Sequence, residues 1–242
     1  MKFCICFFGV IGRSLKKTIR NIEENIFNIL KDNNIEYDVF IHNNYVETIT
    51  NPRGKEYNCK IDNVAYKLLH PKVFSETNQN EFDKQYNWNL LFKNGDIFQN
   101  HFSNENISTK NAIRELHSLK MVSSLWKKED YDFFLYLRPD LLYINKLNID
   151  IILKNIHKKN VLFNPTWGRY LNGLNDRIYF GDYEAISKVA NRIDLIPELI
   201  FKTKRLYHAE TFLMDIVKKY GITVIDIDLV GERVRANGII LK

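Results

Sequence analysis

An α/β fold with a mostly parallel central sheet is what this sequence predicts, and three observations carry the prediction. Strand-like apolar runs alternate with helix-period segments along the whole chain. The strand-like runs are nearly continuous in apolar character, as strands buried on both faces are. The clearest of them, Tyr131 to Leu137, stops abruptly at Arg138–Pro139–Asp140, the polar end expected where a parallel strand opens into a ligand crevice. A strand exit whose proline stops the ladder and whose charges reach water has the same pattern.

Taken in order, Lys2 to Val10 is a buried strand that ends in the turn Gly9 to Arg13. Ser14 is placed as the N-cap of a helix reaching Asp32, with Ile19, Ile22, Ile26 and Ile29 at helical spacing. Tyr37 to His42 is the second strand, so the chain opens with a right-handed βαβ unit. Residues 45–60 are expected to be loop, with a turn at Asn51–Pro52–Arg53–Gly54, and Val64 to Leu69 a third strand. Helices follow over Gln79 to Phe92 and Asn111 to Lys127, the second carrying Ile113, Leu116, Met121 and Leu125, and then comes the strand that leads to Asp140.

Downstream, Val161 to Phe163 begins a short strand running into the loop Asn164 to Gly168. Gly173 to Gly181 gathers glycine, amide, carboxylate and guanidinium ahead of another strand, a pattern that lines sites. Helices are expected from Asp182 to Arg192 and from His208 to Tyr220, the latter with Phe212, Leu213, Ile216 and Val217 on its apolar side. Thr223 to Leu229 is the last expected strand, and Arg233 and Arg235 lie beyond it.

Composition bounds the function. The 242 residues, 45% of them hydrophobic, suffice for a full core, and no Gly/Pro/Ser-rich linker divides them, so a single domain over 1–242 is expected. The net charge of +6 comes from basic residues scattered among 29 acidic ones, which argues against a nucleic-acid stripe and suits a diphosphate-bearing small molecule or an acidic polymer. Met1 to Val10 is too short to span a membrane and lacks a signal peptide's basic start, so a cytoplasmic protein is the expectation. Cys4, Cys6 and Cys59 lack metal-site spacing and are read as reduced structural thiols.

The ordered set Cys6–Phe7–Phe8–Gly9 with Arg13, Tyr37 to His42, Leu137 to Leu141, Gly173 to Arg177, His208–Ala209–Glu210 and Arg233–Val234–Arg235 resembles GT-A-type glycosyltransferases found in large DNA viruses, microbes and algae. The resemblance spans essentially the whole chain and rests on the order of short pieces. It implies a GT-A-like, Rossmann-type α/β/α sandwich with a nucleotide-binding half over 1–140 and an acceptor-binding half over 141–242. It also implies a nucleoside-diphosphate-sugar donor, a glycan or glycoconjugate acceptor, and Mn or Mg on the diphosphate.

By this resemblance Gly9 and Arg13 meet the nucleotide, and His42 lies beside its base or ribose, although a histidine there also suits a purely structural role. Arg138–Pro139–Asp140 stands where such enzymes carry Asp-x-Asp. Asp140 is then a metal ligand, with His208 completing the site or simply starting a helix, while Arg138 forks onto phosphate. Arg13, Arg138, Arg233 and Arg235 would stabilise the departing diphosphate. Glu210 is the expected base of an inverting transfer, or a first-turn acid favoured by the helix dipole. Asp176 is the second candidate for the base, and with Asn175 it would grip donor-sugar hydroxyls. Trp167 and Tyr170 could stack on a sugar or pack in the core. A non-catalytic nucleotide-sugar-binding relative and a nucleotidyltransferase are the competing functions.

Overall fold

The structure, a computed structural model, describes residues 1–98 and 106–241. Twelve strands occur in chain order among them: β1 (Lys2–Gly9), β2 (Glu36–Tyr45), β3 (Thr48–Asn51), β4 (Glu56–Lys60), β5 (Val73–Asn78), β6 (Phe133–Leu137), β7 (Leu141–Tyr143), β8 (Val161–Pro165), β9 (Ile178–Gly181), β10 (Thr223–Ile227), β11 (Gly231–Val234) and β12 (Ile240–Leu241). Seven of these form one sheet in the order β10-β8-β9-β6-β1-β2-β5. Its pairings are parallel except where β9 runs antiparallel to β6 and β8.

The period-2 alternation of the strands sorts their side chains into two cores. Phe3, Ile5 and Phe7 of β1 join Phe133, Leu135 and Leu137 of β6 on one face. That face is covered by α1 (Leu15–Ile22), a π-turn at Glu23–Phe27 and α2 (Asn28–Asp32), through Leu15, Ile22, Ile26 and Leu30. Cys4, Cys6 and Phe8 join Phe134 and Tyr136 on the other. There the cover comes from the later helices α5 (Ile107–Ser123), α7 (Tyr183–Ala190) and α8 (Ala209–Tyr220); α3 (Gln79–Gln85), α4 (Trp88–Leu91) and α6 (Ile149–Asn155) complete the set. Burial on both faces is why these strands carry no polar alternation.

Several local expectations are corrected. Residues Ala65–Leu69 form a 3-10 helix, and the strand beside β2 is β5. The Asp62 carboxylate accepts a hydrogen bond from the Val64 N–H, and the buried residues Ala65 and Leu69 stand four apart, a helical spacing that the apolar content alone conceals. Residues 45–60 hold the antiparallel hairpin of β3 and β4. The helix expected over Gln79 to Phe92 is broken at Tyr86, whose backbone is extended. Ser14 precedes α1 but caps nothing with its side chain. Among the described residues no helix is long and apolar enough to cross a membrane.

Leu135 is fully buried at the centre of the sheet. Leu135→Ala is expected to cost about 2–5 kcal/mol in unfolding free energy, measured by urea denaturation.

Candidate functional site

At the C-terminal ends of β1 and β6 the structure opens into a cavity of about 600 Å³. Of the eleven residues expected to carry the site, nine line this cavity: Gly9, Arg13, Arg138, Asp140, Asp176, His208, Glu210, Arg233 and Arg235. They come from segments far apart in sequence.

Each is positioned by identifiable local structure. Gly9 takes a left-handed backbone, φ +97°, and a Cβ there would point into open space, so the end of β1 leaves room for a ligand against the main chain. Its N–H donates to the Ser118 hydroxyl at 2.8 Å. Arg138 grips Asp140 across Pro139 with two hydrogen bonds, Nε to Oδ1 at 2.8 Å and Nη2 to Oδ2 at 2.7 Å, and its remaining Nη1 reaches Glu115 at 2.5 Å. Arg13 donates through Nε and Nη2 to Glu56, a fully buried carboxylate on the β3–β4 hairpin, and its Nη1 lies 3.7 Å from Asp140.

On the opposite wall, the Leu174 N–H donates to the Glu210 carbonyl at 3.0 Å. A side chain at Gly173 would collide with the Glu210 backbone, so glycine is what lets this turn lie against the first turn of α8. That contact brings Asp176 and Arg177 to Glu210. Arg177 stands 3.1 Å from Asp176 and 3.7 Å from Glu210, with its guanidinium over the Trp167 ring. His208 caps α8 by accepting from the Thr211 N–H at Nδ1, which leaves the proton on Nε2, 3.3 Å from Glu210 Oε2.

His42 and Asn175 stay out of the cavity lining. His42 is fully buried within β2 and is spanned by the hydroxyls of Ser118 at 2.8 Å and Thr77 at 3.0 Å; burial, then nearby His117, pushes its pKa down to about 3. Asn175 is equally buried, its amide accepting from the Arg177 and Ile178 N–H groups and donating to the Trp167 carbonyl, so it shapes the loop.

The charge states follow from burial and neighbours. Burial pushes the Glu210 carboxyl up to about 7, with Asp176 adding to the rise and Arg177 opposing it. Glu115 is also pushed up to about 7 by burial, against the pull of Arg138. Burial would raise Asp140 and Asp176 too, but the guanidinium groups, Arg138 first for Asp140 and Arg177 first for Asp176, hold both below the ordinary carboxylate range. Arg233 and Arg235 are displaced in the opposite sense, to about 10 and about 9, by burial and by neighbouring arginines.

The donor set does not suit a divalent cation at Asp140 and His208. Both Asp140 oxygens accept from Arg138, and the His208 nitrogens are engaged by the Thr211 N–H and by a proton facing Glu210. Among the described residues no three His, Cys, Asp or Glu side chains gather as metal ligands. Arginines surround the position instead.

Glu115, Glu56, Arg53 and Arg114 were absent from the expected site, and Arg177 entered it only as the guanidinium of the Gly173–Gly181 cluster, with no role of its own. Glu115 left one trace in the sequence: Asn111, Glu115 and Ser118 recur at i, i+4 and i+7, a polar stripe beside the apolar face of α5. Of the hairpin that delivers Glu56 and Arg53, the sequence showed the turn at Asn51–Gly54 but not the strands on either side of it.

No protein-family model matches the chain, and no curated protein matches it. Solved structures similar to it include a glycosyltransferase involved in glycosylation of the major capsid of PBCV-1, at 13% identity over 94% of this chain and 82% of that one, TM-score 0.42. Mouse xyloside xylosyltransferase 1 matches at 9% identity over 94% and 85%, TM-score 0.45. The galactosyltransferase LgtC, in complex with donor and acceptor sugar analogues, matches at 12% identity over 93% and 73%, TM-score 0.45. At such scores and identities these likenesses decide nothing about what this chain does.

Because native Glu210 holds its proton to about pH 7 while the ordinary value is 4.5, its ionisation costs stability as pH rises through that window. Glu210→Gln is therefore expected to melt a few degrees above the parent at pH 8 and level with it at pH 4, measured by differential scanning calorimetry.

Proposed function

We propose that the chain is a glycosyltransferase that moves a sugar from a nucleoside-diphosphate donor to a hydroxyl of a glycan or glycoconjugate, with inversion at the anomeric carbon. One observation carries the reading: a single cavity joins an arginine-rich wall to a buried carboxylate, Glu210, whose burial pushes its pKa up to about 7. Seven arginines against four carboxylates line it among the described residues, the excess needed to hold a diphosphate.

Cleavage of the bond between the anomeric carbon and phosphate leaves negative charge on the diphosphate. Arg13, Arg138, Arg233 and Arg235 supply the fixed positive charge that stabilises it, from largely buried side chains already held in place. Glu210 takes the acceptor hydroxyl's proton as the new bond forms. A base with a pKa near the working pH is both ionised often enough and strong enough for the task. The Nε2 proton of His208 orients the Glu210 carboxylate, and Asp176 with Arg177 offers partners to the hydroxyls of the donor sugar. The nucleotide of the donor sits against residues 1–140, its diphosphate and sugar reach across to arginines and carboxylates of 141–242, and the acceptor enters from the latter side, where the exposed Tyr170 ring stands at the cavity edge.

Incubation with nucleotide-sugars is expected to release nucleoside diphosphate; release of pyrophosphate from a nucleoside triphosphate would make the chain a nucleotidyltransferase instead. Glu210→Ala should lower turnover by about 10²–10⁴-fold while leaving donor affinity within about threefold. In the parent, turnover at saturating substrates should fall as pH drops below about 7, because protonated Glu210 cannot accept a proton. Parental turnover in the Glu210→Ala variant would remove the base assignment.

A further inference from the structure

Four guanidinium groups cluster where the resemblance places a divalent cation, and they divide into two kinds. Arg138 and Arg13 each have carboxylate partners, Arg138 in Asp140 and Glu115, Arg13 in Glu56 through two of its nitrogens. Arg233 and Arg235 have none so close among the described residues. Arg233 makes no ion pair and no side-chain hydrogen bond among the described residues. Arg235 is 3% exposed, its Nε has no partner, and its nearest carboxylate oxygen, on Glu56, lies 3.9 Å away. Two residues apart along an extended segment, these side chains project on the same side, and both line the cavity. Guanidinium stays charged at neutral pH even when displaced downward, and among the described residues Arg233 has no ion pair and Arg235 only the long one to Glu56.

We infer that Arg233 and Arg235 form a seat for the donor's diphosphate that works without a divalent cation, and that Asp140 serves as the counter-ion of Arg138 instead of as a metal ligand. The inference rests on the glycosyltransferase reading for the identity of the anion, though not for the seat itself. A metal ion on Asp140 would have to share the carboxylate with the buried two-point contact of Arg138 and stand among like charges. Two planar forks from Arg233 and Arg235 present parallel N–H donors to phosphate oxygens with no such competition.

The two roles of Asp140 differ in sign. A metal ligand lost by Asp140→Asn takes cation-dependent binding with it, whereas a counter-ion lost makes the cavity more positive and leaves anion binding intact or tighter.

Isothermal titration calorimetry with inorganic pyrophosphate and with uridine, guanosine and adenosine diphosphates, each in EDTA and in manganese, tests this on the full chain. The expected result is binding of pyrophosphate and at least one nucleotide in EDTA, within about threefold of the affinity in manganese, and a loss of about tenfold or more in both conditions for Arg233→Gln. Asp140→Asn should bind at least as tightly as the parent in EDTA; should that variant be unfolded by circular dichroism, Arg233→Gln and the parental comparison decide alone. Binding that requires manganese, or no binding in either condition, overturns the seat. The outcomes separate the two proposals: metal-free anion binding without cleavage of any nucleotide-sugar would leave the seat standing and remove the transferase, and manganese-dependent transfer would do the reverse.

Discussion

The structure of the site depends on the two-point ion pair that Arg138 and Asp140 form across Pro139. Neither charge could be buried alone at the end of a central strand; together they satisfy each other, and Glu115 takes the remaining guanidinium face. The turn they stabilise is an anchor for three other segments. Thr18 of α1 donates to the Pro139 carbonyl at 2.6 Å, the Val234 N–H donates to the Asp140 carbonyl at 2.8 Å, and Glu115 holds α5. Because Val234 lies between Arg233 and Arg235, the turn after β6 sets where both of those arginines stand.

The same logic explains which parts of the fold were readable. β1, β6, β8 and β9 are buried on both faces, and sustained apolar character is a direct trace of that burial. Likewise α8 announces itself through four buried apolar positions and a polar residue at its start. The segment at Ala65–Leu69 was not legible, because five residues containing Tyr, Leu and Leu suit a strand or a helical turn equally, and the choice is made by Asp62 outside the run. The β3–β4 hairpin was legible only at its turn, for a different reason. Much of it is exposed and polar, and what fixes it is one buried acid, Glu56, paired with Arg13 and with the Ala236 N–H about 180 residues further on.

Polar residues near strand ends proved ambiguous in a consistent way. His42, Asn175, Arg13 and Asp140 all read as site residues, yet only the last two line the cavity. The difference is whether local backbone and hydroxyl groups already fill the side chain's hydrogen-bonding capacity, which no sequence pattern encodes. His42 still bears on the site at one remove. Ser118 donates to its carbonyl at 3.0 Å and pairs with its ring, and the same hydroxyl receives the Gly9 N–H, so the packing of β2 against α5 fixes the ligand-facing turn of β1.

What remains in the cavity is an arrangement that folding alone does not favour. Among the described residues Arg235 is charged, buried and paired only at 3.9 Å with Glu56, Arg233 is charged and unpaired, and Glu210 and Glu115 resist ionisation. Each costs the free protein stability, and the two cores of the sheet must supply the difference. A ligand carrying two negative charges would remove the larger part of that strain, since it provides the counter-ions that the chain omits and binds the folded state alone. The imbalance is therefore directional: it favours anions over neutral molecules as the first species to enter, and under the proposed transfer the donor's sugar would lie beyond its diphosphate, toward Asp176 and Glu210. On the proposed function the arginines would determine what binds and the carboxylates across the cavity what happens to it.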